Sequence, residues 1–220
     1  MEQLPLPFLH PSHGEEDNFI VTPSNRLAHD FIATWPHWPV LGGIIQGPRY
    51  SGKTHLARLW QRKASAQFFT REEARAWESQ EIPASPLICI VDSLEDFLSE
   101  NETALFHLFN RVKESGGFLL LTTESPIKAL PLKLPDLISR LSLLPIFSIE
   151  EPDDALFLAI LAKRFSDEQL MVDPKILEFL VKHVPRTFES LKTLPHLLSA
   201  AALEEHHALT IPFVKRTLSL

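Results

Sequence analysis

Residues 47–54 read Gly-Pro-Arg-Tyr-Ser-Gly-Lys-Thr and satisfy the pattern G-x-x-x-x-G-K-[ST]. Gly47 and Gly52 let the chain fold tightly enough for backbone N–H groups to converge on phosphate oxygens. A helix opening at Gly52 adds its positive dipole end, Lys53 reaches the terminal phosphates, and the Thr54 hydroxyl holds Mg²⁺. Pro48, Ser51 and His55 complete the candidate cradle. The flanks are those the motif requires, an apolar run over 40–46 before it and a helical pattern over 53–63 after it. The cofactor implied is ADP or ATP with Mg²⁺.

About forty residues on, Leu87-Ile88-Cys89-Ile90-Val91-Asp92 ends an apolar strand in a carboxylate. Asp92 there suits the Mg²⁺ shell of a bound nucleotide. The next residue is Ser93, where a second acid would polarise an attacking water, so binding is better supported than hydrolysis. Glu95 and Asp96 read as first-turn acids of a helix. Thr123, at the end of an apolar run over 117–122, is a candidate reader of the γ-phosphate region, equally readable as a turn former. Arg140 follows a short helix over 134–140, and its ordinary reading is a surface ion pair. The histidines do not suggest a metal site: His206 and His207 are adjacent on a helix and cannot share one face.

The elements that must position these residues alternate. Apolar runs over 40–46, 66–69, 86–91, 117–122 and 144–148 read as strands, with helices over 24–35, 53–63, 71–79, 102–115 and 134–140. Near-continuous apolar strands between helices predict a parallel five-stranded sheet covered on both faces. After Glu150 the pattern is helical alone, over 152–165, 174–183, 186–206 and 212–218. The expected division is an extended tail (1–16), an α/β nucleotide-binding domain (17–150) and a small all-α lid (151–220). Lys+Arg 21 against Asp+Glu 28 leaves a net charge of −7, which argues against a broad phosphate-neutralising surface and direct DNA binding. One cysteine, Cys89 in an apolar strand, suits a reducing compartment. No run approaches the roughly 18 apolar residues of a membrane span. A cytoplasmic protein is expected.

Taken together, these residues resemble the ATPase core of the DnaA-related AAA+ proteins. Asp17-Asn18-Phe19-Ile20-Val21, Pro23-Ser24-Asn25-Arg26-Leu27-Ala28, Gly52-Lys53-Thr54-His55-Leu56, Leu120-Leu121-Thr122-Thr123, Ser139-Arg140-Leu141 and Glu150-Glu151-Pro152-Asp153-Asp154 carry the likeness in order. The chain looks like the short members of Hda type, which lack a helix-turn-helix DNA-binding domain, and Leu209-Thr210-Ile211-Pro212-Phe213-Val214-Lys215 continues that match. Gln3, Leu4, Leu6 and Phe8 are similar to the family's sliding-clamp peptide: prolines hold an extended segment, three apolar anchors dock, and a glutamine directs. The resemblance implies an AAA+ P-loop core with an all-α lid, a clamp-tethered protein that stimulates ATP hydrolysis by DnaA, and Arg140 as the finger acting in trans. Self-association is left open. Two positions depart from the family: Ser93, and Phe188 where a lid arginine would stand, with Arg186 two residues away. Both point to weak or absent intrinsic ATPase activity. The alternative is an autonomous AAA+ ATPase that remodels complexes as a helicase loader does.

Overall fold

The computed structural model describes residues 19–70 and 86–220. Five parallel strands form its centre: β1 (Gly42–Gln46), β2 (Gln67–Phe68), β3 (Ile88–Val91), β4 (Phe118–Thr123) and β5 (Ile146–Ser148), in the order β2-β3-β4-β1-β5. Each lies within the run expected for it except β4, which extends one residue further, to Thr123. The central strand β4 pairs Leu119 with both Gly42 and Cys89, so the carboxyl ends of β1, β3 and β4 finish side by side. Ligands in open α/β sheets bind at that edge.

Side-chain alternation divides the sheet into two chemically distinct faces. Ile45, Ile90 and Leu120 are buried with α1 (Arg26–Ala33) and α2 (Lys53–Ala64). Ile44, Cys89, Val91, Leu119 and Leu121 are buried with α3 (Leu94–Glu114) and α4 (Pro135–Leu141). The sequence pattern gives a helix over 102–115 and first-turn acids at Glu95 and Asp96; the structure joins the two in one helix, α3, that begins at Leu94. Leu94, Phe97, Leu98, Leu105, Leu108 and Val112 are all buried, so one apolar stripe at helical spacing runs through the polar stretch between them.

A ladder of aromatic rings fixes α2 to its neighbours. Trp60 of α2 stacks on Trp38 at 4.7 Å, Trp38 on Phe31 of α1 at 4.0 Å, and Phe31 on Phe147 of β5 at 4.0 Å. The Trp38 indole donates to the Phe31 carbonyl at 2.7 Å, which satisfies its one polar atom inside the stack. The helix that carries Lys53 and Thr54 is thereby held against α1 and the edge of the sheet.

Beyond Glu150 come four helices, α5 (Asp154–Asp167), α6 (Pro174–His183), α7 (Phe188–Glu204) and α8 (Ile211–Leu218). Each begins on a side-chain cap: Asp153 accepts from Leu156 N, Asp173 from Lys175 N, Thr187 from Ser190 N and Thr210 from Phe213 N. Phe157, Leu161, Phe165, Leu180, Leu191 and Leu198 belong to the same buried cluster as α1 and α2. The helical segment therefore packs on the side of the sheet that carries α1 and α2, away from α3. No helix among the described residues is long and apolar enough to cross a membrane.

Gly42 sits so close to β4 that a Cβ would stand 1.8 Å from the Leu119 carbonyl oxygen. Gly116 has φ +67° with open space around it. Gly42→Ala is expected to reach or exceed the upper end of the about 1–3 kcal/mol cost of overpacking. Gly116→Ala should cost only the about 1–2 kcal/mol of left-handed backbone. Urea unfolding of the two variants checks this order.

Candidate functional site

The 47–52 loop leaves β1 and enters α2 at the carboxyl edge of the sheet. Gly47 N donates to the Thr123 carbonyl at 3.1 Å, and a Cβ at Gly47 would press on Ile149 at 2.9 Å and on Ser51 Oγ at 3.0 Å. Tyr50 and Gly52 take φ of +63° and +93°, which turns the loop back on itself. Lys53 is only 7% exposed, and its ammonium donates to the carbonyls of Gly47 and Pro48 at 2.8 and 2.7 Å. Burial lowers its pKa below the usual lysine value, against the opposing pull of Glu124, Glu95 and Asp92. Ser51 Oγ is buried without a hydrogen-bond partner in the protein. A buried cation with only neutral partners and an unpaired hydroxyl in one tight loop fit a bound polyanion.

Asp92 joins the loop to the sheet. Its Oδ2 accepts from the Thr54 hydroxyl at 2.8 Å, and its Oδ1 from the Thr122 hydroxyl at 2.5 Å. Thr122 Oγ1 in turn accepts from Ser93 N at 2.9 Å. Ser93 adopts φ +58° and stands at the N-cap of α3. The Thr54 hydroxyl and the Asp92 carboxylate are the oxygen pair a divalent cation bridging to phosphate would use. Among the described residues no cluster of three or more His, Cys, Asp or Glu forms a metal site.

The two threonines that end β4 point to opposite faces, as strand periodicity demands. Thr122 faces Asp92. Thr123, the expected reader of the γ-phosphate region, instead donates to Glu95 Oε1 at 2.6 Å and lies 2.8 Å from the Ser125 carbonyl. Glu95 Oε1 also accepts from Glu124 N at 2.7 Å and Ser125 N at 2.8 Å. Glu95 is thus in the first turn of α3, as its position suggests, but its carboxylate is committed to the turn after β4. Desolvation alone would raise its pKa, yet the hydrogen bonds from Thr123, Ser125 and Glu124 prevail and hold it below the ordinary 4.5. No local pattern marks a contact between residues 28 to 30 apart in sequence.

Beside the loop is a cavity of about 360 Å³, large enough for a nucleotide base and sugar. Its walls are Phe19, Ile20 and Asn25; Tyr50, Ser51 and Gly52; and, from α5 and α7, Leu156, Ile160, Lys163, Arg164, Phe188 and Lys192 among others. Asn25 shapes the first wall by accepting from Thr22 N and donating to the Ile20 carbonyl, each at 2.9 Å.

A profile of the Hda lid domain matches residues 153–218, which spans α5 to α8. A protein of Haemophilus influenzae, described only as uncharacterized, is 31% identical over 247 aligned positions, covering 100% of this chain and 99% of its own. Domain III of the Thermotoga maritima replication initiation protein DnaA superposes with a TM-score of 0.72 at 17% identity, over 93% of this chain and 95% of that one. AMPPCP-bound DnaA from Aquifex aeolicus gives 0.67 at 19% identity, over 90% and 68%. The chain belongs to the Hda-like, DnaA-related AAA+ family.

Within this Hda-like frame the remaining expected residues fall on two sides of the sheet. His55 packs edge-on against Phe19 with centroids 5.5 Å apart, and burial, with Arg62, Lys163 and Arg58 nearby, lowers its pKa and favours the neutral ring. Phe19 also stacks on His29 and would touch a Cβ at Gly52 at 3.0 Å. His55 thus backs the cavity wall through Phe19. Arg140 lies on the α3 side: its guanidinium donates to Asn110 and stands over the rings of Phe106 and Phe109 at 4.7 and 5.8 Å. Phe188 is buried in the cavity wall, whereas Arg186 pairs with Asp154 in an exposed ion pair. Gln3, Leu4, Leu6 and Phe8, and the helix expected over 71–79, lie outside the described residues.

Glu95→Gln keeps the shape and removes the charge on which three donors converge. A cost of about 1.5–3 kcal/mol at pH 7 is expected, typical of hydrogen bonds to a charged group. Because the folded pKa is depressed, the Glu95 contribution is complete above 4.5 and is lost as pH falls through the lowered folded value. Urea midpoints of wild type and variant should therefore converge in acid, measured stepwise downward from pH 7.

Proposed function

We propose that the chain is a nucleotide-holding regulator of replication initiation that acts on DnaA. The observation that carries this reading is the Lys53 ammonium, buried in its loop beside the Thr54–Asp92 pair and a cavity walled by the Hda-type lid. ADP or ATP would place its phosphates in the 47–52 loop, with Gly47, Pro48, Ser51 and Gly52 supplying the cradle and Lys53 the charge. Mg²⁺ would be held through Thr54 and Asp92. The Aquifex aeolicus DnaA of the same fold binds AMPPCP, which supports the same ligand class here.

The chain's own residues favour holding over hydrolysing. Ser93 offers Asp92's neighbourhood an N–H bonded to Thr122 where a second carboxylate would be needed. Thr123 faces Glu95, so its role toward the γ-phosphate requires the turn after β4 to shift. Arg140 extends from α4 across α3, on the face opposite Thr54 and Thr122, which suits a guanidinium presented to another subunit's nucleotide. In this reading that subunit is DnaA, and the Arg140 charge offsets the negative charge that builds at its γ-phosphate during transfer. Clamp docking rests on the sequence of the tail: Gln3 would bond and Leu4, Leu6 and Phe8 would anchor, tethering the chain at replicating DNA. The division into tail (1–16), nucleotide domain (17–150) and lid (151–220) belongs to the same proposal.

Calorimetric titration with ADP and ATP should show binding that Lys53→Ala abolishes while the fold, followed by circular dichroism, persists. An unliganded wild type under these conditions would reject the nucleotide reading. DnaA's ATP hydrolysis, measured with clamp-loaded DNA, should rise on adding the chain. Arg140→Ala should remove stimulation by on the order of 10³, the scale of an arginine finger. Leu6→Ala with Phe8→Ala should abolish clamp binding in a pull-down and with it the stimulation. Steady phosphate release by the chain alone would favour the autonomous ATPase instead.

A further inference from the structure

The helix that carries Arg140 has little of its own to start on. α4 is seven residues long, and a helix so short is marginal by itself. Leu134 stands at its N-cap with a side chain that accepts no hydrogen bond, and Pro135 at the first helical position has no N–H. The helices after Glu150 are capped by the residue beside them, whereas α4 takes its acceptor from another element. Glu102 of α3 supplies it: one carboxylate oxygen, Oε1, accepts from Lys133 N at 2.7 Å and from Leu134 N at 2.6 Å. Those are the last two backbone N–H groups before Pro135, and negative charge there also faces the positive end of the α4 dipole.

Phe106 and Asn110 stand four and eight residues further along α3, on the same face as Glu102. Asn110 accepts from the Arg140 guanidinium, whose carbon lies 4.7 Å from the centroid of the Phe106 ring. Between these two ends Leu137 and Leu141 are fully buried in the cluster that α3 shares. One face of α3 therefore holds α4 at its entry and at its exit. The apolar contacts in the middle have no direction, so the orientation of so short a helix depends on the hydrogen bonds at its ends. α4 spans about 10 Å, and a tilt at its entry is carried along it to the guanidinium.

We propose that Glu102 is a positioning residue for Arg140: its carboxylate fixes the start of α4 and thereby the direction in which the guanidinium is presented. This rests on the reading of Arg140 as the group that acts on DnaA's nucleotide, and it names the residue that sets that group's aim. The cavity beside the 47–52 loop is walled without Glu102, so the chain's own nucleotide site is independent of it.

DnaA's ATP hydrolysis, measured with clamp-loaded DNA over a range of chain concentrations, gives a plateau rate and the concentration that reaches half of it. Glu102→Ala is expected to lower the plateau about ten- to a hundredfold, the scale on which a displacement of about 1 Å is felt. Its half-plateau concentration and its affinity for ADP should match wild type. A variant that merely folds poorly would do the reverse, needing more chain to reach the same plateau. Glu102→Gln keeps an acceptor oxygen in place and should recover most of the rate. Lys133→Ala removes a side chain but not the N–H that Glu102 holds, and should behave as wild type. The proposal is overturned if Glu102→Ala reaches the wild-type plateau, if only its half-plateau concentration changes, if Glu102→Gln recovers nothing, or if Lys133→Ala reproduces the loss. Should Arg140→Ala itself reach the wild-type plateau, the reading of Arg140 falls instead, and the proposal with it.

Discussion

A lysine ammonium taken out of water, with carbonyl oxygens as its only hydrogen-bond partners, is the feature around which this molecule is arranged. Lys53 can be buried because the 47–52 loop turns its carbonyls inward and because three carboxylates, Glu124, Glu95 and Asp92, lie near enough to lower the cost. The loop can turn that way because Gly47 has no side chain to strike Ile149 and Gly52 accepts a positive φ. Each of these acids is placed by a different element: Asp92 by the end of β3, Glu95 by the first turn of α3, Glu124 by the end of β4. Electrostatic preorganisation here is a property of the sheet's carboxyl edge.

The sheet also keeps two polar systems apart. Thr54, Asp92, Thr122 and Ser93 form one set on the α2 face. Thr123, Glu95 and the backbone of Glu124 and Ser125 form the other on the α3 face. Adjacent threonines on one strand join them covalently while pointing apart. A displacement of β4's end is therefore felt on both faces at once, by the metal-type oxygen pair and by the helix that carries Asn110 beneath Arg140. That connection offers a physical route by which the state of the loop and the presentation of Arg140 can be related.

The helices after Glu150 share a core with α1 and α2, so one wall of the cavity is held in place by packing. Its cations are local. The chain's net charge is −7, while Lys163, Arg164 and Lys192 gather positive charge at one wall. Global charge and site charge have opposite signs, which suits recognition of a small polyanion in preference to a long one.

Much of this was legible in the one-dimensional pattern because it is local. Strand alternation, the G-x-x-x-x-G-K-T spacing, Asp92 at a strand end and the Asp-Pro and Thr-x-Pro helix starts depend on neighbours a few residues apart, and all five strands and most helices stand where those patterns put them. The family likeness added the role expected of Arg140. Left to the tertiary structure were the partners of side chains: Thr123 turned to Glu95, Arg186 to Asp154, Lys192 to Tyr50, and Phe19 brought between His29 and His55. Such pairings depend on which strand lies beside which and how far each helix reaches over the sheet. Chain order carries no record of those distances until the core has closed.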